Sequence, residues 1–301
     1  MPEDGELQVT EGTVQNVKIQ LPREAFRAVF VEAVSEGPGD GDSPGPQVVT
    51  ATGSGFFYRV DGNDFLVSAR HIFSNRSRQT NEYLNSPAVE PSYVRVRFRD
   101  LPPEGGYTSE VPVKIGYVQF RLLDDEGNPN WLEHSTYGRL LDVAALRVAI
   151  PDGILALPWE PEDGSNPDLG FAKYWVAQDV SVVGYPYGLM GGFDLPLWVR
   201  GTIASEPEIP FTIDDQDLPM FLVDARTREG QSGSPTLLVR PPYTPVPRPD
   251  GSFAYSAMPM SKLIGDYTGR LKHDSDLGFV WRIEAVENIC RSGVTASLSS
   301  S

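Results

Sequence analysis

Ser232 lies in a segment whose glycine spacing suits a nucleophilic serine, Glu-Gly-Gln-Ser-Gly-Ser-Pro at 229–235. A serine hydroxyl is a weak nucleophile that needs a neighbouring base, and its attack on a carbonyl creates an oxyanion that needs N–H donors. Glycines at 230 and 233 permit a tight turn that aims such donors. Ser232 is therefore a candidate nucleophile, with the Gly230 and Ser232 amides as candidate oxyanion donors. The alternative is an ordinary glycine–serine turn between two strands.

His71 is the best placed of the three histidines to act as the base. It closes the apolar run Phe-Leu-Val-Ser-Ala-Arg-His at 65–71, so we expect it at a fixed strand end beside the core. His134 and His273 lie in polar segments that are typical of loops. A histidine with a purely structural role is the alternative.

Asp142 stands directly before the apolar segment Val-Ala-Ala-Leu-Arg-Val at 143–148. A carboxylate is costly to bury unless it is paired, and a histidine N–H whose tautomer must be fixed is a suitable partner. An ordinary aspartate at a strand start is the alternative. The chain order His71, Asp142, Ser232 is that of chymotrypsin-type proteases and differs from the order in α/β-hydrolases, which disfavours an esterase.

Further motifs in the same order resemble the trypsin-like peptidases, and the HtrA-type (Deg) branch most of all. Thr-Gly-Ser-Gly-Phe-Phe at 52–57 and Leu-Val-Ser-Ala-Arg-His at 66–71 resemble the opening of such a domain. Asp-Val-Ala at 142–144 resembles the motif around its aspartate. The later matching segments are the Gly-Tyr-Pro turn at 183–189, the Asp-Ala pair at 224–225, the pocket strand at 263–268 and the Gly-Phe segment at 278–279.

The sequence also departs from that family pattern. Arg70 replaces the small or polar residue that usually precedes the histidine, and Ser234 replaces the commoner glycine after the nucleophile. The separation between His71 and Asp142 is longer than usual, consistent with polar insertions at 74–92 and near 124–136. We expect no PDZ domain, because the sequence ends soon after the last predicted helix.

The resemblance implies a serine endopeptidase in which Ser232 attacks a peptide carbonyl, His71 accepts its proton and Asp142 holds the imidazole. It also implies that the substrate backbone pairs as an added strand with 265–269. The substrate-binding residues would then be Arg226, Gly265, Asp266, Tyr267 and Thr268.

Arg226 lies six residues before Ser232, where the family places the base of its primary specificity pocket. A cation there would favour acidic substrate side chains. The alternative is that Arg226 or Arg228 pairs with Asp224 or Glu229, or faces solvent. A second function class is a catalytically silent protease fold that serves as a peptide-binding or assembly module.

The elements that must position these residues are short strands. Gly and Pro total 56 of 301 residues, which favours strands joined by turns over long helices. Two apolar runs around Asp-Gly-Asn at 61–63 predict a hairpin. Residues 23–34 suit a short helix or a strand, and 281–291 have the apolar spacing of a helix. The other predicted strands are 93–99, 111–123, 141–149, 179–185, 197–204, 220–225, 235–240 and 261–268.

We therefore expect an all-β protein with two six-stranded antiparallel barrels of the chymotrypsin type and a short C-terminal helix. The expected divisions are an N-terminal arm and flexible loop at 1–46, a first barrel at 47–160, a second barrel with the closing helix at 161–292, and a disordered tail at 293–301.

The amino-acid composition limits the classes of binding partner that we expect. The net charge of −16 argues against nucleic acid, because an acidic surface repels phosphates. No signal peptide or run of 18 apolar residues is visible, and a single cysteine cannot form an internal disulfide, so we expect a cytoplasmic protein without membrane association. Three scattered histidines and one cysteine suggest no metal, and no cofactor is expected. The expected partner is a polypeptide substrate; a protein activator and the oligomeric state are left open.

Overall fold

The computed structural model describes residues 23–37, 45–100, 115–161, 174–247, 250–255, 257, 260–272 and 274–298. Eighteen strands and two α-helices lie within these ranges, and most strands alternate or are continuously apolar, as expected for barrel walls. The elements are β1 (Ala28–Glu36), β2 (Gln47–Val60), β3 (Asn63–Ala69), α1 (Arg70–Ser74), β4 (Tyr93–Arg99), β5 (Ile115–Arg121), β6 (Trp131–Glu133), β7 (Val143–Val148), β8 (Asp179–Gly184), β9 (Leu197–Ile203), β10 (Phe211–Ile213), β11 (Gln216–Leu218), β12 (Met220–Ala225), β13 (Ser234–Arg240), β14 (Val246–Pro247), β15 (Phe253–Ala254), β16 (Met260–Arg270), β17 (Leu277–Arg282), α2 (Ile283–Ser292) and β18 (Val294–Thr295).

The N-terminal half is an eight-stranded antiparallel sheet in the order β18-β6-β7-β3-β2-β1-β4-β5. The hairpin predicted around 61–63 is present, with β2 and β3 paired from Phe56 opposite Val67 to Val60 opposite Asn63. β3 also pairs with β7, which brings Ala69, at the end of β3, opposite Val143. Residues 71 and 142 therefore lie near each other at one end of these two paired strands.

The C-terminal half is a closed six-stranded barrel in the order β12-β17-β16-β13-β8-β9. β13 follows the Ser232 turn directly and pairs with β16, with Ser234 opposite Tyr267. β16 pairs on its other side with β17. The barrel thus presents the serine turn beside the C-terminal end of β16.

The two halves meet in a shared apolar cluster, and each half also has a smaller cluster of its own. Val67 and Val143 of the sheet pack in the same cluster as Met220 and Trp281 of the barrel, and Ile289 of α2 joins them. α2 contacts β2, β6 and β7 on one side and β16 and β17 on the other. The site lies along this junction.

The predicted fold class is confirmed: the chain is all-β, with a closed six-stranded barrel, a second sheet system and a short C-terminal helix. Two boundaries differ from the expected divisions. Residues 28–36, expected in a loose arm, form β1 inside the sheet, because β1 pairs with β2 on one side and, from Phe30 to Val34, with β4 on the other. Residues 294–295, expected in a disordered tail, pair with β6 as β18. Residues 1–22, 38–44 and 299–301 of the expected arm, loop and tail lie outside the described residues.

Candidate active site

His71 and Asp142 are joined by two hydrogen bonds. β3 ends at Ala69, so His71 is the second residue of the short helix α1, and Asp142 immediately precedes β7. His71 Nδ1 lies 2.8 Å from Asp142 Oδ2, and the His71 backbone N–H donates to Asp142 Oδ1 at 3.1 Å. Because the carboxylate accepts at Nδ1, the neutral ring keeps Nε2 free to accept a proton.

The environment of the imidazole raises the pKa of His71 above its usual value. Burial lowers this pKa, but the negative charge of Asp142 and its hydrogen bond raise it by more. The neighbouring Arg70 charge opposes them only weakly. The imidazole is therefore a stronger base than a free histidine.

The Ser232 hydroxyl donates to the backbone carbonyl oxygen of Thr268 at 3.0 Å. Thr268 and His71 line the same cavity, so the serine, the histidine and the end of β16 lie at one place. In this conformation the hydroxyl proton is directed to β16, not to His71. A rotation about the Ser232 side-chain bond is needed before His71 can accept that proton.

Ser54 holds the serine turn to the N-terminal sheet. Its backbone N–H donates to the Ser232 carbonyl at 2.8 Å, and its hydroxyl donates to the Gly230 carbonyl at 2.8 Å. The same hydroxyl accepts from the Tyr185 N–H at 3.0 Å. Ser54 is fully buried, and it appeared in the sequence only as part of a Gly-Ser-Gly motif, so this positioning role was missed.

The Glu229–Gly230 peptide has a defined orientation. The Glu229 carbonyl accepts from the Tyr187 N–H at 2.6 Å. Because the N–H and C=O of a trans peptide point in opposite directions, the Gly230 N–H points away from Tyr187. Gly230 has φ +89°, and an added Cβ would lie 2.4 Å from the Tyr185 carbonyl oxygen, so only glycine suits this position.

Arg70, which departs from the family pattern, is the partner of a buried glutamate. Its Nε donates to Glu133 Oε1 at 2.7 Å, and the Arg70 side chain is only 1% exposed. Glu133 also accepts from the Trp131 indole N–H at 3.4 Å. The ion pair connects α1 to β6. Because β6 lies in a segment that the sequence predicts as a loop, near 124–136, the sequence contains no indication of this ion pair.

Asp266 is a buried carboxyl without a partner among the described residues. It is 0% exposed, and neither of its side-chain oxygens has a hydrogen-bond donor there. Burial, with a smaller contribution from the Asp142 charge, holds the pKa of Asp266 well above its usual value. The Asp266 carboxyl therefore keeps its proton to a higher pH than an ordinary aspartate does.

The structure corrects most of the predicted substrate-pairing segment. Gly265, Asp266 and Tyr267 are buried in the barrel wall, and each is paired with β13 on one side and β17 on the other. A closed barrel has no free edge there for a further strand. Pairing with β13 stops at Tyr267, so from Thr268 onward the side of β16 next to the serine turn has no strand partner among the described residues.

Arg226, the predicted base of the specificity pocket, is exposed and does not line the cavity beside His71. The neighbouring Arg228 contacts Asp276 at 3.7 Å and donates to the Thr227 carbonyl. Two other arginines, Arg78 and Arg270, line that cavity.

Within the described ranges, no group of three or more His, Cys, Asp or Glu side chains is placed to hold a metal ion. No helix in the described part of the chain is long and apolar enough to cross a bilayer.

A barrel with a glycine-framed serine turn, beside an aspartate-bound histidine, defines the class of trypsin-like peptidases. The chain belongs to the trypsin-like peptidase domain family, whose model matches residues 53–240. A comparison with curated proteins gave no match.

Solved structures of proteases are similar at low identity. The active form of the Rv3671c protease from M. tuberculosis is 14% identical, with a TM-score of 0.41 and 97% of each chain covered. An inactive form of an Rv3671c mutant is 16% identical, with a TM-score of 0.39, covering 88% of this chain and 85% of that one. The serine endoprotease from Yersinia pestis is 13% identical, with a TM-score of 0.42, covering 92% of this chain and 70% of that one.

Proposed function

We propose that this chain is a serine endopeptidase that hydrolyses peptide bonds with His71, Asp142 and Ser232. The observation that carries the proposal is the double attachment of His71 to Asp142 at the cavity where the Ser232 hydroxyl meets Thr268. That attachment leaves Nε2 free to accept a proton, on an imidazole whose pKa is raised. The chain also belongs to a family of peptidases, in which a histidine base has this role.

The reaction would begin with rotation of the Ser232 hydroxyl from the Thr268 carbonyl toward His71 Nε2. Ser232 Oγ then attacks the scissile carbonyl carbon while its proton passes to His71, and Asp142 stabilises the imidazolium. His71 returns the proton to the leaving amine as the C–N bond breaks. A water molecule, deprotonated by His71, next attacks the acyl-enzyme, and release of Ser232 restores the starting state.

The Gly230 and Ser232 N–H groups are the proposed donors to the oxyanion. The hydrogen bond from Tyr187 to the Glu229 carbonyl supports this role, because it keeps the Gly230 N–H turned away from Tyr187. Removal of one such donor typically costs about 2.7–4 kcal/mol of transition-state stabilisation. The Ser54 hydroxyl, bonded to the Gly230 carbonyl, would hold the turn in this geometry.

The proposed position of the substrate backbone is the unpaired side of β16 from Thr268 to Arg270. Within the described part of the chain, residues 269 and 270 pair with β17 on one side only, so a substrate strand can add on the other. Main-chain pairing would fix the scissile bond while leaving sequence preference to nearby side chains.

Labelling with a fluorophosphonate probe tests the proposal. The wild-type protein should be labelled and should cleave an unstructured protein substrate, whereas Ser232→Ala should lose both activities by at least about 10³-fold. Ser234→Ala, which removes a hydroxyl from the same turn, is the matched control and should still be labelled. Equal labelling of wild type and Ser232→Ala would refute the assignment.

The Ser232–Thr268 hydrogen bond favours one second candidate, a catalytically silent peptide-binding module. In that case the hydroxyl stays on the Thr268 carbonyl and does not reach His71. Peptide binding without labelling or cleavage by the wild-type protein would favour this function over the peptidase.

A further inference from the structure

The cavity beside His71 has a strongly basic wall. Its volume is about 260 Å³, and it is lined by His71, Asp142, Thr268 and Gly269 together with the side chains of Arg78 and Arg270. Arg78 comes from the segment that follows α1, and Arg270 is the last residue of β16. The two arginines thus approach the cavity from the two halves of the molecule.

The positive charge of this wall is not balanced within the cavity. Asp142 is the one carboxylate among the described residues that line it, and both Asp142 oxygens bind His71. The chain as a whole has a net charge of −16, so a cavity with two arginines and one carboxylate, which is already bound to His71, differs in charge from most of the molecule.

Arg78 is held in place by neutral groups. Its Nη1 donates to the Leu140 carbonyl at 3.4 Å, and its guanidinium lies 5.3 Å from the Phe279 ring centre and 5.8 Å from that of Trp281. Aromatic faces and a carbonyl orient the guanidinium and leave its charge unneutralised.

Arg270 and Arg78 are both half-buried, and the ion pairs between described residues include neither of them. Burial raises the pKa of Tyr267 to about 12, and the Thr227 hydrogen bond and the Arg270 charge act against that rise. A half-buried, unpaired guanidinium is suited to bind a carboxylate through two parallel hydrogen bonds.

The position of Arg270 on its strand sets which substrate residue it would meet. Thr268 contacts the Ser232 hydroxyl, and Arg270 lies two residues farther along β16. Two strand residues span about 6.6 Å. A substrate paired along this strand would therefore place a side chain two or three residues from the scissile bond next to Arg270.

We propose that the protein selects polypeptides with a glutamate or aspartate two or three residues from the scissile bond, and that Arg78 and Arg270 bind this carboxylate. The proposal rests on the proposed peptidase site and names its substrate class. It assigns the binding of the substrate carboxylate to two arginines that line the cavity, in place of the exposed Arg226.

Matched peptides test the proposal. Quenched fluorescent peptides that differ only by Glu or Gln, at each of three positions on either side of the scissile bond, are compared by kcat/KM. We expect a Glu-over-Gln preference of about tenfold or more at one position, reduced at high salt. Arg270→Gln and Arg78→Gln should each bring this ratio toward one, mainly by slowing the Glu peptide. Arg121→Gln, which removes an exposed charge of the N-terminal sheet, is the control and should keep the full preference.

Binding measured without turnover separates this proposal from the peptidase proposal. The same Glu and Gln peptides are titrated into Ser232→Ala protein and followed by fluorescence anisotropy. Tighter binding of the Glu peptide, lost on adding Arg270→Gln, supports carboxylate recognition even if the wild-type protein proves inactive. Equal affinities and equal kcat/KM values for Glu and Gln peptides at every position would overturn it, and so would a preference abolished by Arg226→Gln but kept in the Arg78 and Arg270 variants.

Discussion

Asp142 and Asp266 lie close enough for the charge of one to raise the pKa of the other, yet their surroundings differ completely. Asp142 receives two N–H donors from His71. Asp266 has no donor among the described residues, and it is fully buried two positions before the threonine that contacts Ser232. An ionised carboxylate is stabilised by donors and penalised by an apolar surround, so the surroundings of Asp266 favour its neutral form.

Asp266→Asn should remove a pH dependence of stability. The folded protein keeps the Asp266 proton, whereas the unfolded chain loses it at a pKa of about 3.9. A folded-state pKa above the unfolded one means that the free energy of unfolding falls as pH rises from about 4, by up to about 1.4 kcal/mol per pH unit, until the folded-state pKa is reached. The variant cannot ionise and should lack this decline.

Urea unfolding of both proteins between pH 4 and 8 measures the difference in stability. We expect the stability of the variant relative to the wild type to increase as pH rises from about 4 toward the folded-state pKa of Asp266. The raised pKa of His71 also makes stability fall with rising pH. This contribution is present in both proteins, so it cancels in the difference between their free energies of unfolding. A difference that stays constant across this range would show that Asp266 ionises normally.

At the scale of elements, β6 is the least expected part of the site's support. It is three residues long, yet it carries Glu133, which binds the buried Arg70 directly before His71. Removing one partner of a buried ion pair leaves an uncompensated charge and typically costs 3–5 kcal/mol, whereas replacing both by apolar residues is often neutral.

Glu133→Gln should therefore lower the free energy of unfolding by about 3–5 kcal/mol, and the double variant Arg70→Met with Glu133→Leu should recover most of that loss. Chemical unfolding of Arg70→Met, Glu133→Leu and the double variant, beside Glu133→Gln, measures the coupling. Asp125→Asn, which breaks an exposed pair with Arg121, is the control and should change stability by less than about 1 kcal/mol. A loss below 1 kcal/mol for Glu133→Gln would mean that the pair does not hold α1.

Most long elements were predictable from the sequence because their apolar pattern is independent of tertiary context, although β17, at Leu277–Arg282, was not predicted as a strand. The prediction of strands at 93–99 and 220–225 matches β4 and β12 residue for residue, and the predicted helix at 281–291 overlaps α2. β6, β10, β11 and β18 were missed, since two or three residues carry no periodicity and their pairing is decided by neighbouring strands.

The candidate site likewise contains features that the sequence predicted and features that it did not. The sequence neighbourhoods of His71, Asp142 and Ser232 mark a strand end, a strand start and a glycine turn, and those local features are present. The substrate-pairing segment at 265–269 was misplaced because strand identity does not reveal which side of a strand is already occupied. The same limit hid Arg78 and Arg270, which only the closure of the barrel brings to one cavity.

At the scale of the whole molecule, the site depends on two halves that are joined by a shared apolar cluster, although each half also contains a cluster of its own. His71 and Asp142 belong to the N-terminal sheet, and Ser232 and Thr268 belong to the barrel. The apolar cluster beneath them contains residues of both halves, and α2 packs across the junction. Loss of this shared core would separate the base from the nucleophile, so we expect the two halves to unfold as one cooperative unit.

Ile289→Ala tests this cooperativity. Ile289 lies on α2 and is fully buried in the shared cluster, so the variant should lose about 2–5 kcal/mol of stability through lost burial and the cavity left behind. Because α2 contacts both halves, hydrogen exchange followed by mass spectrometry should report lower protection in β3 and β7 of the sheet and in β16 and β17 of the barrel by the same free energy. Ile209→Ala, the same substitution at a side chain that is 62% exposed, should change stability by less than about 0.5 kcal/mol. Two separate unfolding transitions, with only one half losing protection, would mean that the halves are independent domains and that α2 merely rests on their junction.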